Sequence, residues 1–163
     1  MLKLTKKADY GLIALKHLAV NAPASSSAKE IAETYGIPAA LLSKILQKLV
    51  KNGFLRSEHG TNGGYKLARD PREMTAYEVI RTIDGPIFLT ACFTEHGYCV
   101  HTDKCTVRDP LQKVHEGILR LLASISISDM SADSPKTEAQ DELAKTSRLI
   151  DLSVPPAQAP DVM

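Results

Sequence analysis

Tryptophan is absent from this chain of 163 residues, and Phe and Tyr together make up only 5% of it. With 44% of its residues hydrophobic, the core must be mainly aliphatic, and amphipathic helices are the simplest way to bury aliphatic stripes. No apolar run reaches the roughly 18 residues that a membrane-spanning helix needs. Lys3, Lys6 and Lys7 before an apolar stretch imitate a secretion signal. Lys16 and His17 interrupt that stretch and no clean cleavage site follows, so a cytoplasmic protein with no membrane partner is expected. Cysteine is scarce too, with three residues and no C-x-x-C pair. No nucleophile–base pairing stands out either, so an enzyme such as a thiol oxidoreductase is not expected.

Net charge is only +1, but it is unevenly spread. Residues 1–70 carry 11 Lys and Arg against 5 Asp and Glu, while residues 71–163 carry 9 against 14. A basic first half is the electrostatic footprint of a nucleic-acid binder, although ordinary solvated surface gives the same balance.

The pattern along the chain is mainly helical. Thr5 caps a helix whose apolar positions are Leu4, Ala8, Leu12, Leu15 and Ala19, with Ile13 and Leu18 widening the stripe. Ser27 and Glu30 form a capping box for a second helix, with Ile31, Ala32 and Tyr35 facing inward. After the Gly36-Ile37-Pro38 turn, a third helix presents Leu42, Ile45, Leu46, Leu49 and Val50, and Asn52-Gly53 stops it. This is helix-turn-helix spacing, which alone is common in helical bundles. Two short strands, 54–57 and 65–68, follow around a glycine-rich turn at His59–Gly64 and make a wing. Thr75 and Glu78 cap a further helix to Ile83, and Asp109-Pro110 open a long one with Leu111, Val114, Ile118, Leu121 and Ile125 along one seam. The expected fold is mainly α with a small β-wing. It divides into a winged helix-turn-helix domain (1–84), a cysteine loop (85–107), a dimerisation helix (108–130) and a disordered tail (131–163) with weak helix near 137–150.

All three cysteines lie in CFTEHGYCVHTDKC, at Cys92, Cys99 and Cys105. Thiolates are soft ligands suited to iron–sulfur clusters, zinc or copper(I). Structural zinc sites usually hold ligand pairs two to four residues apart. The gaps of six and five residues here suit wrapping a larger object. Zinc and metal-free thiol switching stay open as alternatives.

The segments LKLTKKADYGLIALKHLA, GTNGGYKLARDP and AYEVIRTIDGPIFLTAC, taken with the three cysteines, resemble the IscR/NsrR/RirA-like (Rrf-two) superfamily of winged-helix iron–sulfur transcriptional regulators. The resemblance covers roughly residues 1–130, and the GPIFLTAC phrasing is similar to the branch that regulates the SUF iron–sulfur assembly system. It implies a homodimer joined by the long helix, with a [2Fe–2S] or [4Fe–4S] cluster on Cys92, Cys99 and Cys105 whose state switches DNA affinity. It implies a repressor of cluster-assembly genes, with a nitric-oxide- or iron-responsive regulator as the alternative. Some members place a histidine ligand three residues after the last cysteine, where this chain has Arg108, which cannot coordinate. Others use an aspartate on the first helix of the partner subunit, a position matched by Asp9. His96 and His101 are the next candidates, followed by Glu95, Asp103 or an exogenous thiol or water.

For double-stranded DNA with a palindromic operator, the third helix would read base edges through Ala39, Ala40, Ser43, Lys44 and Gln47. Lys48 and Lys51 would meet phosphate, as would Thr5 and Lys6 near the first helix. The wing turn contributes His59, Thr61 and Asn62, and Gly60, Gly63 and Gly64 would let it approach the DNA backbone closely. Many relatives have arginine where this chain has His59, and a mostly neutral histidine suits a narrow minor groove less well.

Overall fold

The computed structural model describes residues 4–60, 63–94 and 104–131. These belong to a unit spanning Met1–Ala132, so the tail and its expected disorder lie outside the described residues. Helix α1 (Lys6–Val20) is capped by Thr5, whose hydroxyl accepts from the Lys7 and Ala8 amides. Helix α2 (Ala28–Tyr35) begins on the Ser27–Glu30 capping box and ends at Gly36 in the left-handed region. Helix α3 (Ala39–Lys51) closes through Gly53, with the Phe54 amide on the Leu49 carbonyl and the Gly53 amide on Val50.

Strands β1 (Leu55–Glu58) and β2 (Gly64–Leu67) pair antiparallel, with Leu55 opposite Leu67 and Arg56 opposite Lys66. Each is shifted by one residue from its expected start. Ser26 adds a bridge to Tyr65 through two amide–carbonyl bonds, so the wing is anchored to the segment before α2. Arg69 fixes the wing's exit. Its guanidinium lies over the Phe54 ring at 5.6 Å and donates to the Glu73 carbonyl. Helix α4 (Ala76–Asp84) starts on the expected Thr75–Glu78 capping box. A short 3₁₀ turn (Ala91–Phe93) holds Cys92 at the start of the cysteine segment.

The aliphatic core forms where α1 crosses α3 and α4. Ala8, Ala14, Leu15, Leu18, Leu42, Leu46, Leu49 and Val79 are all but inaccessible. The buried stripe of α1 keeps the expected Ala8, Leu15 and Leu18 and adds Gly11 and Ala14, while Leu12, Ile13 and Ala19 pack half-buried against the core. Leu4 is exposed, and Gly11 lets α1 approach Ile83, with which a Cβ at that position would collide. Tyr35, expected inside, is exposed, and its hydroxyl lies 3.3 Å from His17 Nδ1. That polar contact keeps the tyrosine at the surface.

The C-terminal helix departs from expectation. Helix α5 (Arg108–Ser124) is capped at Val107 rather than Asp109, and it ends before Ile125, which is extended. The 124–126 stretch, with serines flanking a β-branched residue, disfavours helix. The chain instead bridges back beside Thr75, with the Ala76 amide on the Ile125 carbonyl and the Ile127 amide on Met74. A second helix, α6 (Ile127–Ser131), then starts on Ser126, whose hydroxyl bonds the Asp129 amide and carboxylate. The Ser126 hydroxyl, together with its amide, holds the Asp129 carboxyl below its ordinary range. Ile127 is fully buried. The 108–130 stretch is therefore two helices, the second docked on α1.

Two predictions follow from this packing. A Cβ on Gly64 would fall 2.6 Å from the Ser26 carbonyl oxygen, a backbone atom with little room to give. Gly64→Ala should lower stability by about 1–3 kcal/mol in thermal or urea unfolding, whereas an unchanged midpoint would contradict the close approach. Separately, Asp70 accepts from the Arg72 side chain and then from its backbone amide, which lowers its carboxyl to about 2. The stabilisation from this lowered value is present above the ordinary carboxylate value and is lost as pH falls through about 2. An NMR titration should find Asp70 near that value and Arg72→Ala should restore the ordinary one.

Candidate nucleic-acid interface and cysteine site

Helix α3 presents its N-terminal half to solvent. Ala39, Ala40, Lys44 and Gln47 are exposed, and Ala40, Lys44 and Gln47 share one face at i, i+4 and i+7 spacing. Ser43 is half-buried and donates to the Ala39 carbonyl at 2.9 Å, which leaves its oxygen free to accept. This exposed row combines small side chains with long polar ones, the residue types that can reach base edges in a major groove. Lys6 and Lys51 are also exposed, on α1 and at the end of α3.

Two residues expected to contact phosphate have structural partners instead. The Lys48 ammonium donates to the Ile83 carbonyl at 3.0 Å, satisfying the C-terminus of α4. Thr5, besides capping α1, donates its hydroxyl to Asp84 Oδ1 at 2.7 Å. On the wing, His59 is exposed beside Gly60, whose φ of 118° requires glycine. Thr61 and Asn62 lie outside the described residues. Gly64 serves the fold, approaching Ser26 rather than a ligand.

Reasoning from sequence missed a charged cluster on the wing. Lys66 Nζ lies 2.8 Å from Glu58 Oε2, and Arg56 Nε lies 3.8 Å from Glu58 Oε1. The alternation of Arg56 and Glu58 along β1 is the signal that would have found it. It also missed the link from His17 Nε2 to the buried Ser26 hydroxyl at 3.2 Å, which supports the bridge to the wing.

Of the cysteines, Cys92 and Cys105 are described. Both are free and half-buried. The Cys92 sulfur lies 3.0 Å from the Thr90 hydroxyl. Cys105 sits two residues before the cap of α5. Nearby, His115 of α5 stacks on Phe93 at 5.3 Å and on Phe88 at 6.4 Å, so the arm leading into and past Cys92 is seated on α5. Cys99, Glu95, His96, His101 and Asp103 lie outside the described residues. Asp9 is exposed in the first turn of α1. Among the described residues of this single chain, no three His, Cys, Asp or Glu side chains converge, so Asp9 is not brought together with Cys92 and Cys105.

The outer side of α5 leaves Val107, Val114 and Leu121 exposed. Its other edge packs toward α4, where Ile118 and Leu122 help line an apolar cavity of about 260 Å³ with Leu4, Ile80, Ile87 and Phe88. Among the described residues, no helix is long and apolar enough to cross a membrane.

Residues 4–133 match the Rrf2 family, described as an iron-dependent transcriptional regulator. The HTH-type transcriptional regulator NsrR of Geobacillus kaustophilus (strain HTA426) is 34% identical over 134 residues, covering 81% of this chain and 91% of that one. Among solved structures, CymR (YrzC), the global cysteine regulator of B. subtilis, has a TM-score of 0.72 at 26% identity and covers 83% of this chain and 100% of that one. IscR of T. potens has a TM-score of 0.65 at 31% identity, covering 85% and 91%. These relatives are transcriptional regulators, not enzymes.

Proposed function

This chain belongs to the Rrf2 family of winged-helix transcriptional regulators, and on that premise we propose that it is a homodimeric, cytoplasmic repressor that senses iron–sulfur status through its cysteine loop and controls SUF-type cluster-assembly genes. The observation that carries this reading is the placement of Cys92 and Cys105. Two free, half-buried thiols stand at either end of the loop, on an arm seated against α5. The donor chemistry fits an iron–sulfur cluster, because thiolates are its ordinary ligands and partial burial limits solvent access. Cys92, Cys99 and Cys105 would hold it, and Asp9 of the partner subunit would complete the set. When bound, such a cluster supplies sensitivity to iron and oxidants. A carboxylate is a harder and weaker partner for iron than a thiolate, so Asp9 favours ready release.

The chain's own residues do the rest. Val114 and Leu121 offer the apolar edge on which two α5 helices would pair. Such a dimer presents two α3 helices to a palindromic operator, with half-sites spaced by about one helical turn or a multiple of it. Ala39, Ala40, Ser43, Lys44 and Gln47 read bases, and Lys6, Lys51 and His59, with Thr61 and Asn62, approach the backbone. A second reading, a metal-free thiol switch, draws support from the Thr90–Cys92 contact and from the likeness to a cysteine regulator.

Anaerobic purification followed by native mass spectrometry separates the two. The expected mass is a dimer with iron and sulfide on each subunit, abolished by Cys92→Ser or Cys105→Ser. A metal-free protein under those conditions would leave the thiol switch. Asp9→Ala should alter the cluster's absorbance and shorten its lifetime in air, and an unchanged spectrum and lifetime would remove Asp9 from the site.

A further inference from the structure

The wing carries two cations, and both are engaged by one carboxylate. Arg56 and Lys66 are directly opposite in the β1–β2 register, so their side chains emerge on the same face. Like charges in that arrangement repel. Glu58, two residues along β1 on that face, lies within ion-pair range of both. The Lys66 pair is the tighter at 2.8 Å, and its side chain is only 26% exposed, against 63% for Arg56. Lys66 and Glu58 also line the open polar groove between the wing and the start of α2, with Ser25, Ser27 and Glu30. The Glu30 carboxylate is committed to the Ser27 amide in the capping box. Glu58 is therefore the acid placed to offset part of the wing's positive charge.

We propose that Glu58 is a specificity-determining residue that withholds Lys66 and Arg56 from DNA phosphate, lowering affinity for DNA of arbitrary sequence. Phosphate contacts carry little sequence information but supply nearly all nonspecific affinity. A cation held by its own carboxylate brings no net charge to the duplex and displaces few counterions. Discrimination then rests on the base-reading face of α3. The pair is half-exposed at the surface, so its removal should cost little stability, which circular dichroism checks separately from binding. This inference rests on the DNA-binding reading of the wing and adds a regulating residue to it.

The test is fluorescence anisotropy of the full chain with a labelled, mixed-sequence DNA duplex over a salt series, with circular dichroism to check the fold. Glu58→Gln, and Glu58→Ala as a second variant, should tighten binding by about three- to tenfold at low salt and steepen the log–log salt dependence by about 1 to 2. Glu116→Gln, the same charge change on α5, should do neither. In a background of Arg56→Gln and Lys66→Gln the gain from Glu58→Gln should vanish. Unchanged affinity and slope would overturn the proposal, as would an equal gain from Glu116→Gln or a gain that survives loss of both cations. If neither the parent chain nor Glu58→Gln binds the duplex at any salt concentration, the DNA-binding reading itself fails and takes this inference with it.

Discussion

The last turn of α4 is the point to which the rest of the molecule is referenced. Ile83 fills the space that Gly11 leaves on α1, and this close approach sets how α1 lies against α4. The Ile83 carbonyl receives the ammonium of Lys48 from α3. Asp84, next in sequence, accepts from the same Thr5 that caps α1. At Gly85, with φ of 90°, the chain turns away toward Phe88 and Cys92. One turn of helix thus fixes α1, α3 and the root of the cysteine arm. A shift of the arm has a short, packed route to α3, through groups with defined partners rather than through flexible loops.

The elements legible in the sequence were those with local causes. Caps at Thr5, Ser27 and Thr75, and the stop at Asn52-Gly53, declare themselves within four residues, because the side chain or glycine that satisfies a helix end lies beside it. The wing was legible for the same reason. What escaped was set by distant partners. The return of Ile127 to the core depends on pairing beside Thr75, some fifty residues upstream. The 3-4-3-4 spacing that ran through Ile125 gave no sign of a break, while Ser126 and Asp129 did carry a capping signal that the seam obscured. Gly64 and Lys48 were read as facing DNA because glycine and lysine suit that role, yet each has a nearby backbone group to serve.

The candidate sites divide along the same line. The exposed row on α3 follows from helical periodicity once the buried face is known, so Ala39, Ala40, Lys44 and Gln47 were accessible to reasoning from spacing. The three cysteines were legible as a ligand set, but the fourth ligand was not fixed by spacing, because on the proposed reading it comes from a second subunit. The aromatic stack of Phe88 and Phe93 on His115 was equally hidden. It gives the Cys92 arm a rigid seat on the helix whose free edge would form the dimer.

The account's central claim is that the occupancy of the cysteine loop governs DNA binding. It is tested most directly by selecting bound duplexes from a random pool with anaerobically purified protein, then measuring affinity for the selected site before and after chelation strips the iron. The account predicts a palindromic site whose affinity changes at least about tenfold, within the usual range of allosteric coupling. A selected site bound equally well in both states, or no site selected in either, would contradict it.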